Sequence, residues 1–234
     1  MRDIKTNVVW KHLETSKKKI IIEQGGSRSG KTYNILMWIV FGYCLRNKNK
    51  IVSICRKTFP ALRTSALRDF LEILKNHELY KEEDHNKTSS EYKLNGNLIE
   101  FISLDSPTKV RGRKRDLLFI NEANELFWED WNQLIFRTVG RVILDYNPSD
   151  EFHWIYDKVK TREDADFFKT TYKNNKFLEE SIVKEIERLQ YTDENYWRIY
   201  GLGEIGQSKS TIFNFREIET IPDNAKFISM GMDF

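Results

Sequence analysis

The segment from Gly25 to Thr32 contains the residue types that bind a polyphosphate. Its sequence, GGSRSGKT, matches the pattern G-x-x-x-x-G-K-[ST] at every fixed position. Small residues let backbone N–H groups curl around phosphate oxygens, while the lysine reaches the β- and γ-phosphates and the threonine hydroxyl binds Mg²⁺. The pattern predicts a nucleoside triphosphate and Mg²⁺ as cofactors, and by itself it does not separate a kinase, a GTPase and a motor ATPase. The predicted nucleotide-binding residues are Gly25, Gly26, Ser27, Arg28, Ser29, Gly30, Lys31 and Thr32.

Hydrolysis needs a second group of residues, and two later apolar segments compete to supply it. Segment 117–120 ends in Asn121-Glu122, whereas segment 142–144 ends in Asp145 with no acid after it. A carboxylate must orient and activate the attacking water, so we expect Glu122 to be catalytic and the first segment to carry the site. Asn121 then replaces the usual aspartate, and its amide is expected to hydrogen-bond to the Mg²⁺ water shell. Alternatively, Asn121 and Glu122 only cap a helix.

Three further residues are candidates for sensing or neutralising the γ-phosphate. Asn147 is placed to hydrogen-bond to it, although Asn147-Pro148 also suits a simple turn. Negative charge in the transition state is commonly neutralised by an arginine from the same chain or from a neighbouring one. Arg28 in the phosphate-binding segment and Arg111 in a basic loop are both catalytic candidates. We expect Arg111 to act on the nucleotide of a neighbouring subunit.

Composition excludes several other classes of protein. The 38 basic and 35 acidic residues give a net charge of +3, so attraction to a polyanion must come from local patches. Arg113, Lys114 and Arg115 form such a patch, either as a solvated loop or as a contact to nucleic-acid phosphates. The longest apolar run, 35–45, is shorter than the roughly 20 residues of a membrane span, so no membrane partner is expected. Two cysteines without paired spacing favour a reducing compartment.

The elements that position these residues alternate between strands and helices. Three consecutive isoleucines before Gly25 predict a buried strand, and helical patterns follow it and the next strand, 51–55. Asn95-Gly96 predicts a tight turn in an inserted hairpin. Short apolar strands separated by helices indicate an α/β fold with a mostly parallel central sheet.

We divide the chain into three parts. Residues 1–165 are the predicted ATPase core, and residues 166–210 are a small linker or lid subdomain with two short amphipathic helices. A strand expected at 166–171 is the part of this subdomain that can add to the core sheet. Residues 211–234 end in a new strand pattern and are expected to begin a further domain, truncated here, of a longer protein.

Further short segments complete a recognisable combination of motifs. They include Arg56-Lys57-Thr58, Leu62-Arg63, Arg111-Gly112, Phe119-Ile120-Asn121-Glu122-Ala123, Asp145-Tyr146-Asn147-Pro148, His153-Trp154 and Tyr200-Gly201-Leu202-Gly203-Glu204. Together with GGSRSGKT, they resemble the N-terminal ATPase domain of the large terminase subunit of tailed bacteriophages. The resemblance spans nearly the whole chain.

This resemblance implies a P-loop NTPase fold of the additional-strand, catalytic-glutamate class. It implies ATP hydrolysis that powers translocation of double-stranded viral DNA into a procapsid. The implied partners are DNA, the portal protein, the small terminase subunit and other copies of the chain in a ring. The implied location is the cytoplasm of the infected bacterial host, and transiently the procapsid portal.

In the family a nuclease domain follows, and its first strand ends in a metal-binding aspartate, which Asp233 would match. Nuclease activity is therefore expected only of a longer protein. One alternative is a DNA helicase or repair ATPase with a similar nucleotide core. Another is a nucleotide-dependent switch that ignores DNA.

Overall fold

The computed structural model describes residues 4–105 and 114–207, and eight strands within these ranges form one sheet. Their order across the sheet is β3-β4-β5-β2-β6-β7-β1-β8, with β3 and β4 antiparallel at one edge and the other six strands parallel. The strands are β1 (Ile20–Gly25), β2 (Ile51–Arg56), β3 (His85–Asn86), β4 (Glu91–Leu94), β5 (Asn97–Ser103), β6 (Arg115–Ile120), β7 (Thr138–Tyr146) and β8 (Ala165–Thr170).

Helices cover both faces of this sheet. They are α1 (Val8–Thr15), α2 (Lys31–Met37), α3 (Phe59–Leu62), α4 (Arg68–Asn76), α5 (Trp128–Ile135), α6 (Glu180–Thr192) and α7 (Glu194–Tyr196). Four segments have π-helical geometry: Trp38–Cys44 extends α2, Arg63–Leu67 joins α3 to α4, Trp197–Gly201 extends α7, and Ile155–Val159 stands alone. Among the described residues, we find no helix with the length and apolar character needed to cross a membrane.

Alternation along β1 divides the core into two halves. Ile21 packs on the face covered by α1, α2 and α4, whereas Ile20 and Ile22 pack on the face covered by α5. All three isoleucines are fully buried. Burial on both faces is typical of a central strand in a parallel sheet, and the result is a three-layer α/β/α arrangement.

The structure confirms most of the expected elements and corrects one of them. The Asn95-Gly96 turn joins β4 to β5, with both residues at positive φ. The hairpin is not an insertion, because β5 pairs in parallel with β2 and so belongs to the main sheet. The strand expected at 166–171 is β8, which pairs with β1 and adds to the core sheet. The apolar pattern did not indicate α1 and α5, which are only eight residues each.

A partly buried histidine links α1 to the two strands at one side of the sheet. His12 Nδ1 lies 2.6 Å from Glu23 Oε1 on β1, and its Nε2 lies 3.1 Å from Asp166 Oδ2 on β8. Burial raises the pKa of Glu23 to about 7, although His12 opposes this shift. Burial alone would lower the pKa of His12, but hydrogen bonds and charge from Glu23 and Asp166 raise it. Both shifts mean that the folded chain holds protons more tightly than the unfolded chain.

This pair predicts that the free energy of unfolding falls as pH rises above about 4.5, through the ordinary pKa of Glu23 and then through that of His12. The contribution of His12 is complete below its ordinary pKa of 6.5 and is lost as pH passes through the raised value. Burying ionised Glu23 becomes costly between its ordinary pKa of 4.5 and about 7, so this group also lowers the free energy of unfolding as pH rises. Urea denaturation at a series of pH values measures the slope. Glu23→Gln should flatten it, and the exposed Glu185→Gln should not; an unchanged slope in Glu23→Gln contradicts this account.

Candidate nucleotide-binding site

Three neighbouring parallel strands end at the same edge of the sheet and bring the predicted site residues together. β7 lies between β1 and β6, so one strand separates the phosphate-binding strand from the glutamate strand. Asp145 lies near the end of β7, and Asn147 follows it. Both are consequently close to Asn121 and Glu122 after β6 on one side and to the phosphate-binding segment on the other. Ligands of open α/β sheets bind at such an edge.

The phosphate-binding segment forms a loop between β1 and α2. Arg28 and Gly30 adopt the left-handed backbone conformation, with φ of 60° and 80°, and α2 begins directly afterwards at Lys31. Asn7 braces this loop from the N-terminal segment, because its Nδ2 donates to the Ser29 carbonyl at 3.0 Å. Because α2 begins at Lys31, the positive end of its dipole lies next to the loop, as phosphate binding requires.

The side chain of Lys31 fills the loop and is almost completely buried. Its Nζ donates to the carbonyl oxygens of Gly25 and Gly26, at 3.0 Å each, and to Asn147 Oδ1 at 2.9 Å. Burial lowers the pKa of Lys31, and the negative charge of Asp145 opposes that shift. The contact with Asn147 links the loop to the end of β7, 116 residues away in sequence.

A compact polar network joins the loop to β6 and β7. The Thr32 hydroxyl donates to Oδ2 of Asp145. Oδ1 of Asp145 accepts from Asn121 Nδ2 at 3.0 Å and from the Glu122 backbone N–H at 2.9 Å. Burial raises the pKa of Asp145, and these hydrogen bonds, together with the charge of Lys31, oppose the shift. Asp145, which the sequence analysis passed over in favour of Asn121, is therefore the carboxylate in contact with the phosphate-binding loop.

Glu122 lies at the edge of this network with its side chain partly exposed. Its backbone is left-handed, with φ of 51° and ψ of 58°, where a short 3₁₀ turn, Ala123–Glu125, begins. Burial, followed by the charge of Asp145, raises the pKa of Glu122 to about 7, and Lys31 and Arg56 oppose this. A carboxylate with a proton affinity near neutrality suits a group that accepts a proton from water.

The predicted arginines fall in different environments. Arg28 is exposed at the tip of the phosphate-binding loop. Arg111, the other candidate, lies outside the described residues, as does Asp233. The assignment of Arg115 to a solvated or nucleic-acid-binding patch is wrong, because this residue is fully buried at the start of β6. A charged residue in a run of bases is expected at the surface, but here the side chain is buried within the sheet.

Arg56 is a residue near the site to which the sequence analysis gave no role. Its guanidinium bonds to Glu125 at 2.7 Å and to the Ser65 hydroxyl at 3.0 Å. Ser65 Oγ is in turn 3.2 Å from Asn121 Oδ1. The chain of contacts from Arg56 through Ser65 therefore fixes the orientation of the Asn121 amide on its oxygen side.

A cavity of about 520 Å³ opens beside the loop, next to Gly30. Two aromatic rings line it, Tyr33 from α2 and Phe177 from the segment after β8, and Phe177 is 56% exposed. Lys5 Nζ lies 5.7 Å from the centre of the Phe177 ring. No motif could have revealed this cavity, because its walls come from separate parts of the chain. Its polar lining includes Asn34, Asn76 and Asn175, together with Lys5 and His77.

Comparison with protein families gives a match to the model described as phage terminase large subunit, over residues 17–204. The chain belongs to the phage terminase large subunit family. The PBSX phage terminase large subunit of Bacillus subtilis (strain 168) is 26% identical over 210 residues, which cover 78% of this chain and 48% of that protein. The family match confirms the resemblance found in the sequence and lends no support to the helicase alternative.

Solved terminase structures share the fold. The large terminase of a thermophilic bacteriophage superposes with a TM-score of 0.71 at 20% identity, covering 86% of this chain and 53% of that one. The large terminase ATPase domain of Thermus phage P74-26 gives a TM-score of 0.59 at 15% identity, covering 86% and 94%. The chain thus spans about half the length of the PBSX protein and of the first of these structures, and nearly all of the P74-26 ATPase domain.

The root of the terminase phosphate-binding loop is held by backbone from β8 and from the segment that follows it. The Gly26 N–H donates to the Thr170 carbonyl at 3.0 Å, and the Ser27 N–H donates to the Tyr200 carbonyl at 2.9 Å. Gly203 packs against this junction in the left-handed conformation, with φ of 64°. A Cβ added at Gly203 would lie only 2.8 Å from the Gly26 nitrogen, so a side chain does not fit. The boundary between core and lid at residues 165 and 166 stays a prediction.

Gly203→Ala is expected to lower the free energy of unfolding more than Gly96→Ala does. Both glycines have positive φ, so alanine costs about 1–2 kcal/mol at either position. At Gly96 the nearest atom would be 3.8 Å from the new Cβ, whereas the clash at Gly203 adds about 1–3 kcal/mol. Urea denaturation of the two variants measures the difference. Equal losses in both would show that the loop root tolerates the methyl group.

Proposed function

We propose that this chain binds ATP with Mg²⁺ and hydrolyses ATP as the ATPase part of a phage DNA-packaging motor. The observation that carries the proposal is the direct hydrogen bonding between the phosphate-binding loop and the ends of β6 and β7. Through it, Thr32 and Lys31 lie on one side of a site whose other side holds Asp145 and Glu122. Phosphoryl transfer to water requires this combination of phosphate binding and water activation.

The donor set fits the expected metal. Mg²⁺ prefers hard oxygen ligands and keeps several waters. Thr32 would bind it directly, and the carboxylates of Asp145 near the end of β7 and Glu122 after β6 would face its water shell. When bound, Mg²⁺ neutralises charge on the β- and γ-phosphates. Within residues 4–105 and 114–207, no group of three His, Cys, Asp or Glu side chains could hold a metal alone, so the ion is expected to enter with the nucleotide.

The chain's own residues supply the remaining parts of the reaction. Lys31 exchanges its loop carbonyl partners for phosphate oxygens, because an ammonium group bonds more strongly to a charged oxygen than to a neutral one. Glu122 orients the attacking water and takes its proton. Asn147 already bonds to Lys31, and so lies where it would detect the presence or loss of the γ-phosphate. Arg28 and Arg111 remain the two candidates for neutralising charge in the transition state.

The cavity beside Gly30 is a suitable place for the base of the nucleotide. It adjoins the phosphate-binding loop, so a nucleotide with its phosphates in the loop would extend into it. Tyr33 and Phe177 offer aromatic surface for stacking, and Asn34, Asn76 and Asn175 offer amide groups for hydrogen bonds. Mostly apolar walls with a few polar groups are typical of such pockets.

The biological setting is inferred from the terminase relatives. By analogy with them, we take double-stranded DNA to be the translocated substrate. The partners would be the portal protein, the small terminase subunit and other copies of the chain in a ring. The work would occur in the cytoplasm of the infected host and at the procapsid portal. A packaging ATPase should respond to DNA, whereas a nucleotide switch should not.

Two substitutions should separate nucleotide binding from hydrolysis. Lys31→Ala is expected to abolish productive ATP binding, because it removes the buried charge that meets the phosphates. Glu122→Gln is expected to leave ATP binding largely intact and to lower the hydrolysis rate by about a hundredfold or more, through loss of the base. Binding of a fluorescent nucleotide and release of phosphate measure the two effects. The exposed Glu129→Gln is the matched control; a parental rate in Glu122→Gln would remove Glu122 from the chemistry.

A mixing experiment tests whether Arg111 acts on a neighbouring subunit. An Arg111→Ala chain retains Lys31 and Glu122, and a Glu122→Gln chain retains Arg111. If the arginine acts between subunits, a mixture should hydrolyse ATP faster than the sum of the two separate preparations, because the second chain donates its arginine to the first. Phosphate release, with association confirmed by light scattering, measures this. Association without recovery would favour Arg28.

A further inference from the structure

The Asp145 carboxylate occupies the centre of the polar network although the sequence places the expected metal-facing position elsewhere. It is 1% exposed on β7, between the phosphate-binding strand β1 and the glutamate strand β6. One oxygen accepts from the Thr32 hydroxyl, and the other accepts from Asn121 and from the Glu122 backbone N–H. The carboxylate therefore lies against the residue that is expected to bind Mg²⁺ directly.

The orientation of Asn121 shows that its amide is unsuited to the metal's water shell. Waters bound to Mg²⁺ donate their protons outward and require acceptors. The side of Asn121 that faces Thr32 and Asp145 is its NH₂ group, at 3.4 and 3.0 Å. An ionised carboxylate only accepts, so the group opposite Asp145 must be the donor end of the amide. The acceptor end, Oδ1, points away and is occupied by Ser65.

We propose that Asp145, on β7, supplies the metal-facing carboxylate that position 121, on β6, lacks. Asn121 is then a positioning residue, which holds Asp145 against Thr32 by a donated hydrogen bond. The proposal rests on the proposed ATPase function and names the residue that faces Mg²⁺ in the same site. It replaces the expectation that the Asn121 amide holds the water shell.

The same geometry explains why acids at both positions are incompatible. The Asn121 and Asp145 side chains approach to 3.0 Å, so Asn121→Asp would place two carboxylates in contact and remove the hydrogen bond between them. One negative charge between the two strands is therefore expected to be optimal. A double variant, Asn121→Asp with Asp145→Asn, exchanges the two side chains and preserves both the charge and the hydrogen bond.

The test measures how strongly Mg²⁺ tightens nucleotide binding, a quantity that does not depend on turnover. The 234-residue chain is titrated with a slowly hydrolysed, fluorescent ATP analogue, once in EDTA and once in excess Mg²⁺. The Kd in EDTA divided by the Kd in Mg²⁺ is the metal-dependent gain in affinity, called the gain below. The variants are Asp145→Asn, Asn121→Ala, the exchanged double variant, and Asp157→Asn, an exposed aspartate that serves as a matched control. Far-UV circular dichroism confirms that each variant is folded.

Asp145→Asn should lower the metal-dependent gain by at least about tenfold, while binding in EDTA stays equal or tightens because a negative charge has left the phosphate site. Asp157→Asn should keep the full gain. Asn121→Ala should keep most of it, since Thr32 and the Glu122 N–H still hold Asp145. The exchanged double variant should recover most of the gain that Asp145→Asn loses.

Two results overturn the proposal: a gain in Asp145→Asn within about twofold of the parent, or loss of the gain in Asn121→Ala with its retention in Asp145→Asn. If Asp145→Asn does not fold, the other two variants decide: retention of the gain in Asn121→Ala together with its recovery in the exchanged double variant supports the proposal, and loss of the gain in either variant overturns it. Failure of the parent chain to bind the analogue in either condition would reject the proposed function itself, and is thereby distinguished from failure of this assignment.

Discussion

The hydrogen bonds that gather around the Asp145 carboxylate are the interaction on which the site depends. They connect α2 through Thr32, β6 through Asn121 and the Glu122 backbone, and β7 through Asp145 itself. A buried carboxylate is costly unless it is fully hydrogen-bonded. Moving any of these partners would leave the carboxylate short of a hydrogen bond, so the same cost keeps them in position. The left-handed turn at Glu122 belongs to the same arrangement, because it directs the N–H of this residue at Asp145 and leaves the side chain free.

The sequence revealed those parts of the site whose residues are contiguous. The phosphate-binding loop is one such segment, and its fixed residue types and flanking strand and helix were sufficient to predict it. The position of Glu122 at the site edge could be predicted because it directly follows a buried strand, whereas its catalytic role stays a prediction. The partnership of Asp145 with Thr32 could not, since it depends on β7 lying beside β1, and hydrophobic patterns predict strands without giving their order across the sheet.

Residues that depend on distant packing were missed or misplaced for the same reason. The cavity next to Gly30 combines α2 with Phe177 and Lys5, which are far apart in sequence. Arg115 lies in a run of bases, and only the surrounding strands show that it is buried. By contrast, the overall α/β architecture was predictable, because alternation of strands and helices, with strands buried on both faces, allows few arrangements.

The junction between the loop root and the end of β8 with its following segment is made by main-chain atoms on both sides. Gly26 and Ser27 donate N–H groups to the carbonyls of Thr170 and Tyr200, and a Cβ at Gly26 would lie 2.3 Å from the Tyr200 oxygen. A carbonyl is the same in every amino acid, whereas the closeness of the two backbones excludes all but the smallest residue at Gly26. Substitution during evolution should therefore be strongly restricted at Gly26, while these contacts alone leave positions 170 and 200 free to vary.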